Sequence, residues 1–173
     1  MIELRPLTDA DIDAVAAVHV RAWQSGYAGI VPAGYLAGLD PAGFARRRRE
    51  RTGPPGSRTL VAVDDGRVVG FASFGPYRVD GGAGHNPAVG ELYAIYVDPD
   101  RWGAGIGRRL LAAARTALAE AGHSTMRLWV FEDNHRSRRF YARAGLTPDG
   151  ARQYFTPQGS TVQLPEVRYS ARL

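Results

Sequence analysis

With 173 residues and 45% hydrophobic side chains, the chain suffices for one sizeable core but not for two of ordinary size, so a single domain over 1–173 is expected. It has no cysteine, which excludes disulfide frameworks, thiolate-ligated zinc and any acyl-cysteine intermediate. The formal charge of +5 rests on arginine alone, as lysine is absent, and without a base-reading element it fits a solvated surface or a polyphosphate ligand better than nucleic acid.

The opening residues Met1 to Pro6 lack a secretory apolar stretch and no later run approaches membrane-spanning length, so a cytoplasmic protein with no membrane partner is expected. Ile2 and Leu4 alternate with Glu3 and Arg5 as in a half-buried strand, and Thr8 with Asp11 approximates a capping box before a helix carrying Ile12, Val15, His19 and Trp23. The periodicity stops over 23–32, which reads as an aromatic, glycine-rich loop, and resumes in helices from Pro32 and from Pro41. Arg46 to Arg49, with Arg51, read as a solvated helix face. Residues 59–63 and 67–74, joined through Asp64-Asp65-Gly66, carry the signature of a β-hairpin. The breaker-rich stretch 75–87 is expected to be a mobile connection that walls a substrate cleft.

Residues 89–97 are apolar and aromatic enough for a central strand, and Leu110, Leu111, Ala114, Leu118 and Ala121 lie on one face of a helix that Gly122 stops. A second strand and helix follow, over 125–131 and from the N-cap Asn134 through Phe140, Tyr141 and Ala144 to Gly145. Two weaker strands, 151–155 and 166–173, close the chain. The four histidines show no metal-ligand spacing, so no metal is expected.

Between the first of these strands and its helix stands Trp102-Gly103-Ala104-Gly105-Ile106-Gly107. Backbone N–H groups of such a turn converge at a helix N-terminus, where the dipole favours an anion, so the loop can hold phosphate without a side chain. Arg108 and Arg109 in the first helical turn oppose the dipole unless an anion docks there. A plain helix cap is the competing reading. No Gly-Lys-Ser/Thr follows for a nucleotide P-loop, and the context of a dinucleotide site is absent.

The run from Glu91 through Pro99 into Trp102 to Leu111 resembles the acetyl-CoA motif of the GNAT N-acetyltransferase superfamily, and residues 128–134 and 138–146 are similar to that family's next strand and helix. The likeness is strong over 89–146 and looser elsewhere; Trp102 departs from the family's glutamine or arginine. The resemblance implies an α/β fold with a mixed, centrally splayed sheet of about six to seven strands and about four helices. It implies acetyl-CoA as acyl donor and direct transfer, in a ternary complex, to a primary amine of a small molecule or peptide. It is compatible with a homodimer. The cofactor would be held by the strand residues Ile95, Tyr96 and Val97, by the loop Trp102, Gly103, Ala104, Gly105, Ile106, Gly107 and Arg108, and by Asn134 and Tyr141. The alternative is a non-catalytic acyl-CoA sensor.

An ammonium must lose a proton before it attacks a thioester, and Glu91, an acid in an apolar strand where the family often places a base, is the candidate. By period two it would share a face with Tyr93, Ile95 and Val97; an ion pair with arginine is the competing reading. Tyr141 matches the family's acid toward the leaving thiolate, against a packing role beside Phe140. Trp23, Tyr27, Tyr77, Arg78 and Tyr154 are candidates for an aromatic acceptor pocket, with core packing as the alternative.

Overall fold

A computed structural model describes residues 1–79 and 84–173. The chain runs β1 (Ile2–Pro6), α1 (Ile12–Gly26), α2 (Ala33–Ala37), α3 (Pro41–Glu50), β2 (Arg58–Asp64), β3 (Arg67–Arg78), β4 (His85–Val97), α4 (Ile106–Glu120), β5 (Thr125–Phe131), α5 (His135–Arg143), β6 (Thr147–Phe155) and β7 (Leu164–Arg172). Among the described residues the strands form one seven-stranded sheet in the order β1-β2-β3-β4-β5-β7-β6. All neighbours are antiparallel except β4 and β5, which are joined by the crossover helix α4 and run parallel.

That parallel pair is short. Val89, Gly90 and Glu91 pair with Thr125, Met126 and Arg127, and beyond them the two strands part. β5 continues its ladder with β7 as far as Phe131, and β4 continues with β3 as far as Val97. The sheet is thus forked at its centre.

Helices cover both faces. On one, Ile106, Leu110, Leu111, Ala114 and Leu118 of α4 pack with Ala72, Phe74, Leu92, Met126 and Leu128, joined by Tyr141 of α5. On the other, Val15 and Val18 of α1 meet Val61, Val63 and Phe71. A satellite cluster of Val31, Leu36 and Phe131, with Trp23, Tyr27 and Phe155 against it, fills the α1 side near β5 and β7.

Local chemistry explains several boundaries. Asp65 and Gly66 both take positive φ, 47° and 79°, giving the tight β2–β3 turn that the Asp-Asp-Gly signal predicts. Asp40 accepts from the N–H groups of Ala42 and Gly43 at 3.1 and 3.0 Å to cap α3, and Arg47 to Arg49 sit favourably in its last turn.

Three expectations need correction. α1 continues through Trp23 to Gly26, because His19, Trp23 and Tyr27 extend one helical face into the satellite cluster, and the loop shrinks to 27–32. The expected connection 75–87 is largely strand, since Tyr77 and Arg78 pair with Asn86 and His85; residues 80–83 of it lie outside the described residues. β6 begins at Thr147, with an irregularity between Pro148 and Arg152. The helices number five among the described residues, one of them the five-residue α2, in keeping with the expected number of about four.

Candidate active site

The fork and the glycine loop adjoin. Asp98 N–H donates to Val69 O on β3, so by strand alternation the peptide groups of Ile95 and Val97 face away from β3, toward the gap. The Trp102 indole takes up one of these groups, donating to Val97 O at 2.9 Å, while the Arg136 guanidinium lies 3.7 Å from the Trp102 ring centroid. Trp102 therefore buttresses the loop from the side, stacked under a cation from the first turn of α5.

Gly103 and Gly105 adopt φ of 84° and 77°, a left-handed backbone that side chains disfavour, and Gly105 is the N-cap of α4. The first intrahelical bond runs from Arg109 N–H to Gly105 O, so the N–H groups just before it point out of the helix end. Gly103, Ala104 and Arg108 are exposed, whereas Ile106 anchors the loop in the core at 1% exposure. Arg101 pairs with Asp64 at 2.7 Å and so is drawn off the loop; Arg108 and Arg136 are the cations beside it. The exposed N–H turn, the open strand edge and these cations suit a ligand with a pyrophosphate and an amide-bearing arm.

Asn134 is buried and its Oδ1 caps α5 through Ser137 N–H at 3.1 Å. Tyr141 is buried beside Phe140 and Tyr169, and burial, with a lesser effect of Tyr96, pushes its phenol well above the usual tyrosine range. It holds its proton at neutral pH. On the α1 side, the Tyr27 and Tyr96 hydroxyls lie 3.1 Å apart and burial raises both phenols.

Glu91 sits at the last paired position of the fork, 1% exposed. Its Oε2 accepts from Arg78 N–H at 2.9 Å and Nε at 3.3 Å, and its Oε1 from Arg78 Nη2 at 2.8 Å. The face deduced for it from strict alternation is wrong. A bulge at Tyr93 shifts the register, pairing Leu92 with Phe74 but Ala94 with Ser73. Leu92, Ile95 and Val97 thereby face α4, and Glu91 lies on the opposite face with Ala94 and Tyr96.

A model of the acetyltransferase (GNAT) family matches residues 19–146. The chain is 39% identical over 135 residues to "Uncharacterized N-acetyltransferase YuaI" of Bacillus subtilis, covering 78% of this chain and 74% of that one. This chain belongs to the GNAT acetyltransferase family. It is also 30% identical to "Probable N-acetyltransferase Rv2775" of Mycobacterium tuberculosis, over 97% of this chain and 92% of that protein. Among solved structures, the PaiA N-acetyltransferase of Thermoplasma acidophilum, in complex with coenzyme A, has the same fold, with TM-score 0.74 and 20% identity over 100% of this chain and 99% of that one.

In this GNAT enzyme the fold gathers most residues singled out from the sequence. Ile95, Val97, the glycine loop, Asn134 and Tyr141 surround the fork, with Tyr96 turned to the α1 face beside Tyr27 and Trp23. Tyr77, whose hydroxyl accepts from Arg168 at 2.9 Å, and Arg78 lie next to Glu91. Tyr154 stands apart: it is 55% exposed, under the Arg152 guanidinium, and alternation along β6 turns it to the face opposite Gln153 and Phe155. Three residues not singled out lie near these candidates, namely Arg136 over Trp102, and Phe155 and Glu166 beside Phe131. Arg136 sits two residues past the Asn134 cap, so helix position could have flagged it; the other two come from strands with weak signals.

Proposed function

We propose that this GNAT enzyme transfers acetyl from acetyl-CoA directly to a primary amine of a small molecule or peptide, both substrates being bound together. The parting of β4 and β5 beside the glycine loop, with the Tyr141 phenol at the α4–α5 side of the gap, carries this reading. When bound, acetyl-CoA supplies the thioester-activated acetyl group. The N–H groups ahead of Arg109, with Arg108 and Arg136, would neutralise pyrophosphate, and the Ile95 peptide and Val97 N–H would align the pantetheine arm as an added strand. Tyr141, kept protonated by burial, would donate toward the leaving sulfur. Glu91 as proton acceptor requires the Arg78 guanidinium to release it; closed, the pair ties the end of β3 to the middle of β4 beside the gap.

Release of free CoA thiol with pooled primary amines, read with a thiol dye in a protein free of cysteine, is expected to depend on one pool. Tyr141→Phe should lower kcat about 100-fold while leaving acetyl-CoA affinity by calorimetry within about twofold. Absence of acetyl-CoA binding to the wild-type protein would overturn the reading, and binding without turnover in every pool would favour the sensor.

A further inference from the structure

Glu166 on β7 is a half-buried carboxylate with no ion-pair partner among the described residues. Its Oε2 accepts a hydrogen bond from the neutral Gln153 amide at 2.7 Å. The two guanidiniums nearest it by strand position and charge are engaged elsewhere: Arg78 grips Glu91, and Arg168 binds Asp149 at 2.7 Å and the Tyr77 hydroxyl. Burial, more than any neighbour, raises its pKa, with Gln153 and Arg78 opposing and Glu91 reinforcing the rise. A desolvated anion of this kind is costly unless a cation joins it.

Its surroundings are specific. Glu166 pairs with Phe131 on β5 and Gln153 on β6, so its side chain rises on the α1 face beside Phe131, Leu164 and Phe155. Trp23 and Tyr27 close over that patch, with ring centroids 6.0 Å from Phe155 and 4.9 Å from Phe131 respectively. The Trp23 ring lies 6.5 Å from that of Tyr96, centroid to centroid. The outer side of the same apolar cluster, at Ile30, Val31 and Leu36, borders a groove of about 620 Å³.

We infer that Glu166 is the counter-ion for the acceptor's ammonium group, and that the acceptor is a primary amine carrying an apolar substituent seated against the half-buried Trp23 and Phe155 rings. The inference rests on the amine-acetyltransferase reading and deepens it. Glu91 cannot serve this role while both its oxygens are held by Arg78, and an anionic or strongly hydrated substituent would forfeit the aromatic surface.

The probe is 2-phenylethylamine, titrated calorimetrically with and without saturating CoA, beside ethylamine and the uncharged 2-phenylethanol. Wild type is expected to bind 2-phenylethylamine at least about tenfold more tightly than either control. Glu166→Gln, nearly isosteric and checked for an unchanged thermal midpoint, should erase the advantage over 2-phenylethanol, and Glu166→Asp should restore part of it. Equal affinity of wild type and Glu166→Gln for the amine, or no preference over ethylamine, would overturn the assignment. Failure of CoA to bind would count against the donor reading alone, because the amine titration is also made on the free protein.

Discussion

Gly105 shows how little side-chain chemistry the proposed donor site needs. Its left-handed φ of 77° ends the β4–α4 turn and aims N–H groups outward, and a Cβ there costs about 1–2 kcal/mol of backbone strain, with Arg108 Nη2 at an ordinary contact distance of 3.7 Å. Gly105→Ala should therefore weaken CoA binding by about tenfold or more in calorimetry, with a fall of only a few degrees in thermal midpoint. This loop was legible in sequence because backbone geometry is encoded locally, glycine by glycine. The partner of Glu91 was not, because Arg78 lies thirteen residues away and meets it only through the β3–β4 register and the bulge at Tyr93.

The behaviour of β4 depends on where it is held and where it is free. Gly90 lies in the paired base of the fork, and a Cβ added to it would approach Leu118 Cδ2 to 2.8 Å, inside the tightly packed α4 interface. Gly90→Ala should cost about 1–3 kcal/mol in urea unfolding, by pushing α4 away from the sheet. A destabilisation below about 0.5 kcal/mol would show that α4 relaxes freely there. Strand, loop and helix order were readable from periodicity, whereas α1 was placed too short and the 75–87 stretch was misassigned. In both cases a tertiary partner, the aromatic satellite cluster or the opposite strand, overrode breaker residues.

The α1–sheet interface couples stability to pH. His19 stacks on Tyr96 with centroids 4.7 Å apart and packs against Phe44, and burial first, then the charges of Arg48 and Arg47, lowers its pKa to about 3. Between about 3 and the unfolded value of 6.5 the unfolded chain binds the extra proton, so stability must fall as pH is lowered through that window. From pH 7 to pH 5 the loss due to His19 is about 2 kcal/mol, and His19→Phe, which keeps the ring, should flatten that slope in denaturant titrations. An unchanged slope would place the acid sensitivity in another group.

Periodicity and turn chemistry within the sequence were enough to predict alternating strand–loop–helix units, a glycine turn at a helix N-terminus and, through the resemblance over 89–146, a splayed mixed sheet; each of these is written in residues close together in the chain. The fork's position, the Glu91–Arg78 pair and the exposure of Tyr154 were settled by folding, as was the placing of Glu166 between Phe131 and Gln153. These depend on strand order, register and a one-residue bulge, and a shift of one residue in a strand sends every later side chain to the other face.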